Sequence, residues 1–298
     1  MIKTIAKIKQ LPAKYQVLIL LLITLWGVWL SRYPDTFGLL SNYLQYSLLG
    51  ITGAIFANAT GAGGGVIFIP VFNNLSFSAE QSIATSFAIQ CFGMTAGALT
   101  WRHHYKTLQQ TSNLWSQLPT LFLLCTPLSI MGLWTTLTFE LPPPSTLEHS
   151  FSLFSITLGL AIIYSSSKLK PNACYRRLRS LELVILGVFT YLGGIITAWL
   201  SVGVGEIIVI YLMLRRVDPT LAVATGVIVT AITVWTTSFI HFGEHSDAYF
   251  NVVLFAGPGA VIGGILAKKL ALYLPVKRLK LFFASWIILS GVAMLLIQ

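Results

Sequence analysis

Apolar runs follow one another along nearly the whole chain, and polar residues are confined to the short connections between them. A first run covers Val17 to Leu30, and further runs lie at about 38 to 60, 79 to 100, 115 to 138, 149 to 166, 181 to 202, 218 to 241, 249 to 270 and 280 to 297. About 20 apolar residues cross the roughly 30 Å hydrocarbon layer as a helix, so this pattern predicts nine long spans of an all-α polytopic membrane protein. Two shorter apolar pieces, 64 to 77 and 204 to 214, are too short to cross as isolated regular helices.

Each short piece follows a glycine interruption: Gly61-Ala62-Gly63-Gly64-Gly65 before the first, Gly203-Val204-Gly205 before the second. A glycine inside a helix costs about 1 kcal/mol, and four in five residues predict a break. Lipid offers no partner to the freed backbone groups, which must find protein, water or a ligand. Broken helices at membrane depth therefore point to a site, the alternative being that the glycines only permit close helix packing.

Composition agrees with the bilayer reading. Hydrophobic residues make up 55% of the chain, charged residues 9%, and the mean hydropathy is +0.79, against about 25% charged residues in a soluble domain. The net charge of +10 is explained by basic cytoplasmic loops and calls for no nucleic acid. Cys91, Cys125 and Cys174 have neither metal-binding nor redox spacing.

The distribution of Lys and Arg sets the threading. If both short pieces cross, every one of the 19 Lys and Arg residues except Arg32 falls on the side of the N-terminus, and Asp35, Glu80, Glu140, Glu148, Glu244 and Asp247 fall on the other. The positive-inside rule then places the N-terminus in the cytoplasm. The expected organisation is residues 1–36 as cytoplasmic N-terminus and extra transmembrane helix, 37–166 as a first five-segment repeat, 167–180 as a basic cytoplasmic linker, and 181–298 as a second repeat. Halves with an odd number of crossings are inverted. They also echo each other in sequence: Gly61 and Gly63 answer Gly203 and Gly205, Ala84-Thr85-Ser86 answers Ala224-Thr225-Gly226, Gly132 answers Gly263, and Leu141-Pro142 answers Leu274-Pro275. Inverted repeats with paired interruptions are the plan of many secondary transporters, with the substrate near the midplane.

At these residues the chain resembles the TauE/SafE sulfite exporter family, over about 40 to 298. The resemblance is carried by Gly61-Ala62-Gly63-Gly64-Gly65 with Pro70 and Ala84-Thr85-Ser86, and by Gly257-Pro258-Gly259-Ala260-Val261-Ile262-Gly263-Gly264. It implies a secondary transporter of the bacterial cytoplasmic membrane that moves sulfite, a sulfonate or another small sulfur-containing or organic anion, typically outward. The chain departs from the family pattern at Glu206, where a third glycine is expected, and at Leu212, where proline is common.

The chemistry expected of the breaks is anion binding, because a helix N-terminus presents free N–H groups and a positive dipole end. Gly61, Gly63, Gly64 and Gly65 from one half and Gly203 and Gly205 from the other are the expected backbone contacts. Thr85, Ser86 and Thr225 add hydroxyl donors, and Asn58, Thr60 and Gln90 are further polar groups nearby, each of which also suits helix-to-helix hydrogen bonding. Glu206 is an intramembrane carboxylate and thus a functional candidate for proton coupling, the alternative being a hydrated or helix-capping residue. No hydrolase or Walker A pattern occurs, so no enzyme activity, catalytic residue or cofactor is expected. His103, His104, His241 and His245 lack the companions of a metal site. Trp101, Trp115, Trp134 and Trp199 suit a membrane-interface belt. A small anion and the lipid bilayer are the expected partners, the oligomeric state is not written in the sequence, and an anion channel and, more distantly, an intramembrane enzyme are the competing functions.

Overall fold

The structure, a computed structural model, describes residues 21, 24–32, 34–108, 115–167 and 177–296, and is helical with no strand among them. Lys3, Lys7, Lys9, Lys14, much of the run from Val17, and Lys168, Lys170, Cys174 and Arg176 of the basic linker lie outside the described residues. The chain divides into two units at Gln45 and Tyr46. In the first, residues 24–31 are helical, and a second helix, Thr36–Tyr43, starts where the Asp35 carboxylate accepts the Gly38 N–H at 2.8 Å. The apolar run at 38 to 60 is thus divided between two helices.

The second unit holds α1 (Tyr46–Thr60), α2 (Gly65–Asn74), α3 (Ala79–Leu108), α4 (Leu118–Thr138), α5 (Leu147–Ser167), α6 (Ser180–Leu200), α7 (Val204–Leu214), α8 (Pro219–Trp235), α9 (Phe250–Tyr273) and α10 (Val276–Leu296), with a helical turn at Ser238–His241. Among the described residues six helices, α3, α4, α5, α6, α9 and α10, are long and apolar enough to cross a membrane, against the nine long spans expected: the run at 38 to 60 is divided, and the run at 218 to 241 gives the 17-residue α8 and a separate turn. With 10 and 11 residues, α2 and α7 reach only about 15 Å each at 1.5 Å per residue, half of the hydrocarbon layer.

The two short helices are bounded alike. Gly61 (φ 82°) precedes α2 and Gly203 (φ 149°) precedes α7, conformations that side chains resist and glycine adopts freely. Each ends in a residue at positive φ, Ser76 at 58° and Arg216 at 61°. The next N–H turns back onto the helix, Phe77 to the Phe72 carbonyl at 3.1 Å and Val217 to the Leu212 carbonyl at 3.0 Å, a left-handed cap. α8 then opens with the Asp218 carboxylate accepting the Leu221 N–H at 2.9 Å, as α3 opens with Ser78 accepting the Gln81 N–H at 3.2 Å.

Helix pairing is reciprocal. α1 packs on α9 and α6 on α4; α3 packs on α9 and α8 on α4; α5 meets α7 and α10 meets α2; α3 packs on α8 and α5 on α10. Small residues allow the closest approaches. Gly132 lies against the Tyr191 carbonyl and Gly194 against the Ser129 carbonyl where α4 meets α6, while Gly50 and Gly263 lie against the Ala256 and Ile51 carbonyls where α1 meets α9.

Contacts also gather the helix ends. Arg215 meets Glu182 at 3.6 Å, Gln117 accepts the Leu178 N–H at 3.0 Å, and Trp101 stacks on Trp115, so the basic ends of α3, α6 and α7 and the start of α4 share one end of the unit. At the opposite end, Thr85 accepts the Tyr249 N–H at 2.9 Å and Trp199 donates to the Leu141 carbonyl at 2.8 Å. α3 continues eight residues beyond 100, so Arg102, His103, His104 and Lys106 stand on a helix rather than in a loop. Trp101 and Trp115 are buried with ring centroids 6.0 Å apart, and Trp101 donates to the Asn58 carbonyl at 3.1 Å, which corrects the interface-belt expectation for these two. The freed carbonyl near the end of α1 needs a donor, and the indole supplies it.

The α4–α6 interface yields a matched test. Gly132→Ala places a methyl on the Tyr191 carbonyl, whereas the nearest atom to a methyl at Gly187 is the movable Leu128 Cδ1 at 2.9 Å. Thermal unfolding in detergent should show Gly132→Ala less stable by about 1–3 kcal/mol and Gly187→Ala close to wild type. Equal effects of the two would contradict the close backbone packing.

Candidate functional site

The two breaks come together around one side chain. Glu206 lies in the first turn of α7, buried. Its Oε2 accepts the Gly203 N–H at 2.9 Å, closing over the start of its own helix, and its Oε1 accepts the Gly63 N–H at 2.6 Å, just before α2. One carboxylate thus ties the interruption of each half to the other. Charge-assisted hydrogen bonds are short and strong, and a negative charge at a helix N-terminus is favoured by the dipole. Here it serves two N-termini at once.

Gln90 of α3 completes the junction. Its Oε1 accepts the Gly64 N–H at 2.9 Å, and its Nε2 donates to the Ser201 carbonyl at 3.1 Å and to Ser201 Oγ at 2.8 Å. Ser201 Oγ donates to Ser86 Oγ at 2.9 Å. Ser201 ends α6 at φ 58°. The α7 start gains a further acceptor from Thr197, whose Oγ1 takes the Val204 N–H at 3.0 Å. The N–H groups of Gly63, Gly64, Gly203 and Val204 are thus paired within the protein, as a dry interior demands.

The glycines are required by proximity as well as by conformation. A methyl at Gly65 would overlap the Ser201 carbonyl, one at Gly205 the Gly61 carbonyl with Thr230 Oγ1 at 2.8 Å, and one at Gly64 the Phe68 ring at 2.6 Å. Of the residues expected from the sequence, Gly61, Gly63, Gly64, Gly65, Ser86, Gly203, Gly205 and Glu206 meet at this junction. Thr85 and Thr225 do not offer their hydroxyls there. Thr85 binds the Tyr249 N–H, and Thr225 donates back to the Leu221 carbonyl of its own helix at 2.8 Å. Asn58 donates to the Ala54 carbonyl at 2.8 Å and the Gly93 carbonyl at 3.2 Å, while its Oδ1 and Thr230 Oγ1 are buried without a partner. Ser201 is a residue that sequence reasoning passes over, because serine before a glycine break reads as an ordinary turn residue.

Lys280 also reaches this region. The basic-loop expectation for it is corrected: it stands on α10, is buried, and lines with Glu206, Thr60 and Phe283 a cavity of about 10 Å3, about the least volume that admits a water molecule. Among the described residues no group of three His, Cys, Asp or Glu is placed to hold a metal.

Replacing the carboxylate tests the tie between the breaks. A carboxamide accepts with its oxygen alone, so Glu206→Gln turns an NH2 group toward either the Gly63 or the Gly203 N–H. Thermal unfolding should show a loss of about 1–3 kcal/mol, the usual cost of an unsatisfied buried donor, and an unchanged midpoint would contradict the bridging role.

No curated protein and no solved structure matches the chain. The family model described as sulfite exporter TauE/SafE matches residues 46–294, which takes in both glycine breaks, Glu206 and all but the last two residues of α10. A match over most of the chain, on a helical membrane protein whose two interrupted helices meet at buried N–H groups, shows that the chain belongs to the TauE/SafE sulfite exporter family.

Proposed function

We propose that this protein is a secondary transporter of a small sulfur-containing or organic anion, that the anion is held at the junction of the two glycine breaks, and that Glu206 occupies that place between transport events. The observation that carries the reading is the Glu206 carboxylate shared between the Gly63 and Gly203 N–H groups. A carboxylate and a sulfite or sulfonate head present the same kind of acceptor, a negative oxygen pair, to the same donors. The transported anion takes over the donors when Glu206 leaves them. With about 10 Å3 beside Glu206, this conformation is closed to such an anion, which favours a carrier that changes shape over an open channel.

Protonation gives the exchange a trigger. A neutral carboxyl is a weaker acceptor than a carboxylate, so a proton on Glu206 loosens its hold on Gly63 and Gly203 and opens the site to the anion. Lys280, lining the same cavity, is the other ionisable group there. Outward movement of sulfite or a sulfonate is the direction that the family description as a sulfite exporter supports, and the proton on Glu206 is its proposed link to pH. The reciprocal pairing of α1–α5 with α6–α10 supports the inverted-repeat reading, and the shared end rich in Lys and Arg supports a cytoplasmic assignment for that end in a bacterial inner membrane.

Two outcomes follow. In intact cells, an impermeant maleimide should label a cysteine placed at Glu140 and spare one placed at Arg216, and the reverse labelling would overturn the orientation. In proteoliposomes, saturable exchange of methanesulfonate, whose charge is constant across the neutral range, should rise as pH falls in the wild type and be flat with pH in Glu206→Gln. A mutant that keeps the wild-type pH dependence at normal flux would remove Glu206 from the coupling, and non-saturating, voltage-following flux would point to a channel.

A further inference from the structure

Three charged side chains are buried among the described residues: Glu182, Glu206 and Lys280. Glu182 is answered by Arg215 at 3.6 Å, and Glu206 by two backbone N–H groups. Lys280 has no such answer. Its residue is 3% exposed, and its ammonium meets only the Met213 thioether, a weak acceptor. A charge held in the interior of a membrane protein without a counter-charge weakens the fold, and it persists where function needs it.

The place of Lys280 says what that need is. It forms the shared wall of two small cavities, each of about 10 Å3. One also contains Glu206 and Thr60. The other contains Trp101, Pro219 and Thr220, next to the Asp218 cap where α8 begins at the basic end of the unit. Lys280 thus stands between the glycine junction and the end that gathers Arg102, Lys106, Arg215 and Arg216.

We propose that Lys280 is a second anion-binding site of the transporter, which pairs directly with a small oxyanion such as sulfite or a sulfonate on its way between the basic end and the glycine junction. The proposal rests on the transport reading above. An ammonium offers three donors and a full charge to an anion that has left bulk water, and the two small cavities at its sides leave room beside it that no side chain fills. Met213 serves as a placeholder, soft enough to be given up at little cost.

The test uses the full chain in detergent and calorimetric titration with sodium sulfite, beside methanesulfonate exchange in proteoliposomes. Lys280→Met removes the charge while keeping an unbranched apolar stem beside Met213. We expect its unfolding midpoint to equal or exceed that of the wild type, and sulfite binding to weaken by about tenfold or more, while Lys280→Arg retains binding within a few-fold. If Lys280→Met does not fold, Lys280→Gln against Lys280→Arg reads the same contrast. Wild-type affinity and exchange in the charge-removed variant would overturn the proposal. So would a Lys280→Met, Glu206→Gln double variant that binds sulfite as tightly as Glu206→Gln alone, because Lys280 would then serve a displaced Glu206 and not the anion. A wild-type protein that neither binds nor moves sulfite or methanesulfonate overturns the transport reading itself, and this proposal with it.

Discussion

Unwound backbone in a dry interior has to be paired, and the structure meets that constraint with one carboxylate. Gly63 and Gly203 belong to interruptions 140 residues apart in the chain, yet both donate to Glu206, at 2.6 and 2.9 Å. Without a shared acceptor, each break would leave buried donors costing about 1–3 kcal/mol apiece. The Gln90–Ser201–Ser86 network and the Thr197 hydroxyl complete the pairing on either side. The close approaches of Gly65 to Ser201 and of Gly205 to Gly61 follow, since only backbones without side chains bring the two starts within reach of one residue.

The same arrangement explains why a site of this kind is suited to anions. Donors fixed by two helix starts cannot reorganise far, and their dipoles favour an acceptor that brings negative charge. Glu206 satisfies them in the closed state, and a transported oxyanion is its chemical equivalent. Where the resemblance leads us to expect a third glycine, this chain has the acceptor itself. In the proposed exchange between a tethered and a mobile anion, Glu206 gives the transporter a definite resting state.

Much of this was legible in the residues. Six of the nine apolar runs correspond to helices long enough to span, and the glycines placed the breaks, because both signals are local and strong. Gly61 and Gly203, where the pattern predicts a break, sit at positive φ, and Glu206 stood out as an acid in an apolar piece. What could not be read are the facts decided by packing. Lys280 sits three residues after Lys277 and two after Arg278, and only the helix starting at Val276 turns it inward while Lys277 and Arg278 stay exposed. Ser201 and Gln90 gain their roles from each other across 111 residues of sequence. Thr85 and Thr225 showed the same polarity as Ser86 but face other partners. Trp101, a belt residue by composition, is drawn inward by the Asn58 carbonyl.

The central claim is that a transported anion and the Glu206 carboxylate compete for the same N–H groups. Infrared difference spectroscopy on the purified protein reads this directly, with the Glu206 carboxyl bands assigned by their disappearance in Glu206→Gln. Saturating sulfite should shift those bands with the same concentration dependence as binding, as the carboxylate leaves Gly63 and Gly203. Saturable sulfite binding that leaves the Glu206 bands in place would contradict the account.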